Sequence, residues 1–266
     1  MTAAGDGRFA DLAPRVVSAV ILGAVGVGAV WLGGWWFAGL VALAAALIGW
    51  ELFRMLGTGP LGAPVWLAGA LVGVAVLAAG LLPVPAGLLL LLLPGLAALA
   101  TASPHRVAGG LYLLVVCFGA HAFVMLRLEF GLLWVVWLVL IVIASDVAGY
   151  FAGRLIGGPK LWPRVSPKKT WSGTVAGWIA AVAASLPFLG LLGVGAGLLA
   201  LALVVAMAGQ AGDIAESALK RRVGVKDSSA LIPGHGGVMD RFDAMLGAAL
   251  AVLIAGWLGL LPASGV

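Results

Sequence analysis

Uncharged apolar stretches of about 18 residues or more recur along the whole chain, each long enough to cross a hydrocarbon core of roughly 30 Å as a helix. Charged, proline and glycine clusters divide them into spans near 16–33, 35–53, 65–82, 84–102, 107–126, 131–152, 173–190, 192–210 and 243–261. Two of these divisions rest only on Pro83 and Pro85 and on the Gly190–Gly197 stretch. The first run follows Arg8 and Arg15 and mimics a signal peptide, but many spans follow and no convincing cleavage site intervenes, so it reads as the first anchor. The pattern predicts an all-α, polytopic transmembrane helix bundle of about nine spans, forming a single membrane domain over 1–266. Within it, 1–145 supplies amino-terminal spans, and 146–266 carries two polar loops, 153–172 and 211–242.

Composition sharpens this picture. The chain is 63% hydrophobic and 9% charged, with a mean hydropathy of +1.18, far from the roughly 25% charged content of a soluble domain. Its 41 glycines suit close helix–helix approach in lipid. The single cysteine, Cys117, lies in an apolar run, so no intramolecular disulfide can form. Placing the amino terminus in the cytoplasm puts 14 of the 15 basic residues on the cytoplasmic side, with Arg127 alone outside. The two polar loops then share that face and hold ten of the 15 basic residues. The net charge of +5 by itself implies no more than orientation and attraction to anionic headgroups.

The order of residues inside the loops implies more. In 211–242, Asp213, Ser217 and Lys220 fall on one face if the eighth span continues as a helix past Gly212. Asp240 and Asp243 open the ninth span, where carboxylates commonly serve only to cap a helix. Mg²⁺ takes hard oxygen ligands, usually one or two carboxylates completed by phosphates and waters, and Asp213 and Asp240 are suitable donors. Gly234, Gly236 and Gly237 allow backbone N–H groups to approach phosphate oxygens, while Lys220, Arg221, Lys226 and Arg241 can neutralise them. A triphosphate fits this set. His235 reads as a turn residue, a phosphate donor or a general acid, with phosphate contact favoured by its polar loop; His105 and His121 read as loop and bundle residues.

In the first loop, Asp146 lies inside the sixth span, where an ionisable group marks either a site or hydrogen bonding within the bundle. Ser166, Pro167, Lys168, Lys169 and Thr170 offer two hydroxyls and two ammonium groups on a proline-stiffened turn, a cradle for a lipid phosphate at headgroup depth. Glu51, after Trp50 at the second span's end, reads most simply as an interfacial anchor and is left outside the site.

From Ser217 through Lys220-Arg221, Lys226-Asp227 and Pro233-x-His235-Gly236-Gly237 to Asp240-Arg241-x-Asp243, the second loop resembles the carboxy-terminal signature of phosphatidate cytidylyltransferases, or CDP-diacylglycerol synthases. Ser166–Thr170 is similar to that family's second motif, and Asp146 with Tyr150 and Arg154 to the helix end before it. Ser172 and Gly149 depart from it, standing where members commonly carry Glu and Ala.

The resemblance covers 146–266 by motif and the amino-terminal half by hydropathy alone. It implies transfer of the cytidylyl group of CTP to phosphatidate, giving CDP-diacylglycerol and pyrophosphate, in a homodimer at the cytoplasmic side of the inner membrane. No nucleic acid is involved. On that basis Asp213 and Asp240 are expected to hold Mg²⁺, with a second cation nearby in the manner of two-metal sites, and Asp243 and Asp227 are second choices. Lys220, Arg221, Lys226, His235 and Arg241, with Ser217, Gly236 and Gly237, would bind the triphosphate; Ser166, Lys168, Lys169, Thr170 and Asp146 would bind or orient phosphates of either substrate. Two rivals share some features: a lipid or polyprenol kinase, and a lipid transporter, for which the internal repeat expected of that class is not evident.

Overall fold

A computed structural model of the chain describes residues 12–261; Arg8, used above for orientation, lies outside them. Among the described residues there are nine α-helices: α1 (Leu12–Leu32), α2 (Gly34–Leu56), α3 (Val65–Ala79), α4 (Val84–Leu99), α5 (Arg106–Met125), α6 (Leu132–Leu155), α7 (Trp171–Leu191), α8 (Gly197–Val223) and α9 (Met239–Trp257). Each overlaps one predicted span. Six of them, α1, α2, α5 with its following π-helical turn, α6, α7 and α8, are long and apolar enough to cross a membrane. The predicted spans at 65–82 and 84–102 form the shorter apolar helices α3 and α4, of 15 and 16 residues. In α9 the first turn carries charge, and its apolar stretch begins after Asp243.

The packing forms two apolar layers that meet along α9. Trp137, Leu138 and Ile141 of α6 pack with Val205 of α8 and with Ala248 and Val252 of α9. Leu52 of α2, Val72 of α3, Leu91 of α4 and Val116 of α5 form the other layer, which takes Met239 and Leu246 from the same α9.

Two features place polar residues at one end of this bundle. The 27 residues of α8 extend about 40 Å at 1.5 Å per residue, roughly 10 Å more than a hydrocarbon core. Its charged carboxy-terminal turns therefore project beyond the apolar layer. The second feature departs from the all-α expectation: β1 (Lys160–Trp162) and β2 (Ser166–Thr170) form an antiparallel hairpin with Lys160 opposite Thr170. The segment expected as a proline-stiffened turn is thus a strand, and Pro167 is tolerated because a two-stranded sheet consists only of edges. The hairpin feeds directly into α7, where Thr170 Oγ1 accepts a hydrogen bond from Gly173 N at 3.2 Å and caps the helix.

Charge placement agrees with a shared end for both loops. Arg54 of α2 donates to Ser228 O at 3.4 Å, and Lys169 of β2 pairs with Asp213 of α8 at 2.5 Å. Arg127 lies at the opposite end of α1, donating to Val30 O at 2.9 Å.

Candidate functional site

Close helix contact brings the acids together. An added Cβ at Gly212 would meet the Asp243 carbonyl oxygen at 2.5 Å, and one at Gly247 would meet Ala208 O at 2.5 Å, so α8 and α9 cross with backbone against backbone. No larger residue allows this approach. The neighbours of that crossing are Asp213 and Asp243. Together with Glu216, one turn along α8, they present three carboxylates, one oxygen from each lying within 4.8 Å of the others. Glu216 is buried, 1% exposed, and Ser217 Oγ donates to Asp213 Oδ1 at 3.3 Å. From the first loop, Lys169 Nζ reaches Asp213 Oδ2, and Asp146 on α6 is close enough to interact with both of those charges.

Asp240, expected as a metal ligand with Asp213, is tied to Lys220 and to the 228–237 segment. Lys220 Nζ stands between two carboxylates, 2.8 Å from Glu216 Oε1 and 2.6 Å from Asp240 Oδ1. Asp240 also accepts from Ser228 N at 3.1 Å and Gly237 N at 2.7 Å, with Ser228 Oγ 3.1 Å from its Oδ2. Burial acts to raise its carboxyl, but the Lys220 and Gly237 hydrogen bonds outweigh burial and hold it below the ordinary aspartate value. Asp243 and Glu216 lie beside Asp213, and Asp240 holds Lys220 and the glycine turn next to them.

The glycine-containing loop is ordered by its own contacts. Gly234 and Gly236 have φ of 74° and 84°, the left-handed region that side chains disfavour. His235 Nδ1 lies 2.9 Å from Ser18 Oγ of α1, and Arg241 Nε donates to His235 O at 3.0 Å. Lys168, Arg221, Lys226, Asp227 and Arg241 are exposed around this end, and Ser166 is half-buried. Thr170 is buried, with its hydroxyl engaged by Gly173 and Ser172.

Two residues were missed by the motif reading. Glu216 was passed over although it lies three residues from Asp213 on the face already under consideration. Glu51, set aside as an interfacial anchor, is 0% exposed and accepts four hydrogen bonds from 228–239. The rule that singles out an ionisable group in an apolar span applies to it as it does to Asp146.

Residues 13–258 match the sequence model of the Cytidylyltransferase family. The chain belongs to that family. It is similar to the phosphatidate cytidylyltransferase of Brucella suis, 48% identical over 129 residues, a match covering 48% of each chain. The enzyme of that name from Helicobacter pylori is 42% identical over 126 residues, covering 47% of each. For the Bacillus subtilis protein the figures are 38% over 140 residues and 49% of each. The chain spans about half the length of these curated relatives in its matches.

Both departures from the cytidylyltransferase motifs have local structural counterparts. An added Cβ at Gly149 would lie 3.2 Å from Gly173 O, where α6 and α7 touch. Ser172 Oγ donates to Gly157 O and lies 3.0 Å from Thr170 Oγ1, closing the loop before the hairpin onto α7.

Proposed function

We propose that this cytidylyltransferase-family protein transfers the cytidylyl group of CTP to phosphatidate, forming CDP-diacylglycerol and pyrophosphate. The observation that carries the reading is the cluster of Asp213, Glu216 and Asp243, flanked by Lys169 and Lys220 from the two polar loops at the projecting end of α8. In the reaction a phosphatidate oxygen attacks the α-phosphorus of CTP, the bond to the β-phosphate breaks, and pyrophosphate leaves. The nucleophile is already an anion, so the site needs no strong base. Its task is to hold two negatively charged partners in line and to neutralise charge growing on the leaving group.

The oxygen-only donor set suits a hard divalent cation, and Mg²⁺ fits it through Asp213, Asp243 and Glu216. When bound, Mg²⁺ supplies the positive charge that lets reacting phosphates approach the carboxylates. Lys220, held by Asp240, presents its ammonium beside that cluster, and Lys169 can exchange Asp213 for a phosphate oxygen. Arg221, Lys226, His235 and Arg241, with the backbone N–H groups of Gly236 and Gly237, bind the triphosphate. Ser166 and Lys168 orient a lipid phosphate, and Asp146 helps to place Lys169. Thr170 and Ser217 act through the groups they hold, α7 and Asp213. Asp227 borders the glycine turn. The positive-inside bias supports placing this end at the cytoplasmic face of the inner membrane, with all nine helices as spans and the amino terminus inside. The family resemblance favours a homodimer.

The test is product analysis on purified protein given CTP or ATP, each with and without phosphatidate. Pyrophosphate and CDP-lipid should form only with CTP and phosphatidate together. Release of a nucleoside diphosphate would identify a kinase instead, and lipid movement without CTP consumption a transporter.

A further inference from the structure

Glu51 is the most completely enclosed carboxylate among the described residues, and it belongs to a helix that carries none of the acid cluster. It lies on α2, five residues before the helix ends at Leu56, and is 0% exposed. Four donors converge on it from the segment before α9. Ser229 Oγ and Val238 N reach Oε1 at 2.5 and 2.9 Å, and Ser228 Oγ and Met239 N reach Oε2 at 3.1 and 2.7 Å. Two of these are the N–H groups of Val238, which precedes α9, and of Met239, its first residue, which have no partner within that helix. Glu51 therefore caps α9 from a neighbouring helix, with a carboxylate at the positive end of the dipole.

The connection continues toward the reacting end. Ser228 Oγ lies 3.1 Å from Asp240 Oδ2 as well as from Glu51. Asp240 in turn holds Lys220, and Lys220 faces Glu216. Space is also fully used, because an added Cβ at Gly237 would run into Ser228 Oγ and Glu51 Oε1. The glycine turn thus packs directly against the carboxylate. We infer that Glu51 is a positioning residue: from α2 it fixes the 228–239 segment and the start of α9, and so sets where Asp240 and Lys220 stand relative to the Asp213–Glu216–Asp243 cluster.

This inference rests on the proposed cytidylyl transfer for its kinetic consequence, but not for its structural one. Glu51→Gln keeps the shape while replacing one acceptor oxygen by an NH₂ group that must face donors. Loss of a charge-assisted hydrogen bond of this kind corresponds to about a tenfold or larger change in an equilibrium or rate. In purified, full-length protein that elutes and melts as wild type does, Glu51→Gln is expected to speed trypsin cleavage after exposed Lys226 about tenfold. It should lower kcat for CDP-lipid synthesis by about tenfold and raise the Mg²⁺ concentration for half-maximal rate, with the KM for phosphatidate unchanged. If Glu51→Gln does not fold, Ser229→Ala, which removes one donor, should show the same two effects at smaller size. Wild-type cleavage and wild-type kinetics in a folded variant would overturn the inference. Wild-type protein that makes no CDP-lipid would overturn the proposed reaction, and altered cleavage in Glu51→Gln would still support the positioning role.

Discussion

At the scale of single residues, the charges at the reacting end differ in what holds them. Lys220 is 12% exposed at its side chain and stands between Glu216 and Asp240, themselves 1% and 5% exposed. Removing the ammonium leaves two enclosed carboxylates facing each other, a situation that costs about 3 kcal/mol or more. Lys220→Met should lower stability by about that amount in thermal or denaturant unfolding, and Lys220→Met combined with Glu216→Gln should recover part of it. Additive losses in the double variant would show that the two residues are not coupled. Lys169, pairing with Asp213 from a half-exposed hairpin, should contribute much less to stability.

Among the elements, the crossing of α8 and α9 is the contact on which the site's geometry depends most. Gly212→Ala places a Cβ 2.5 Å from the Asp243 carbonyl oxygen, which is backbone and cannot turn aside. The helices must separate, moving Asp213 from Asp243, and overpacking of this kind costs about 1–3 kcal/mol. Gly149→Ala, by contrast, meets Gly173 O at 3.2 Å, which a small shift relieves, and should cost less than about 1 kcal/mol. Thermal melts and CDP-lipid assays on the pair check this: a large loss for Gly212→Ala and a small one for Gly149→Ala is the expected order. The motifs single out Asp213, Asp240, Asp243 and Lys220, but linear spacing does not show which face of α9 meets α8 or that Asp243 and Glu216 lie beside Asp213. That depends on Gly212 and Gly247, two small residues in a chain of 41 glycines. The hairpin was hidden for a related reason, since Ser166–Thr170 has no apolar alternation to mark a strand. Glu51 was hidden by distance, its partners lying 177 to 188 residues away.

For the molecule as a whole, the helix order was legible because hydropathy in a bilayer is a strong constraint: each predicted span has its helix. Hydropathy did not show that α3 and α4 would be short, since Pro64, Pro83 and Gly80 limit them only through local geometry. The structure groups Arg54, Lys169 and the 228–239 segment at one end and Arg127 at the other. Single cysteines at Lys226 and at Leu128, in a Cys117→Ser background, report the orientation. In sealed vesicles with the cytoplasmic face inside, an impermeant maleimide should label Leu128→Cys directly and Lys226→Cys only after permeabilisation. The reverse order would invert the topology.

The central claim is that Asp213 and Asp243, joined across the α8–α9 crossing, hold the divalent ion on which cytidylyl transfer depends. Its most direct test is CDP-lipid synthesis from CTP and phosphatidate as a function of Mg²⁺ in folded wild type, Asp213→Asn and Asp243→Asn. Both variants should lose activity by on the order of a hundredfold or more and fail to recover it at high Mg²⁺. Full synthesis with an unchanged Mg²⁺ requirement in Asp243→Asn would contradict the account.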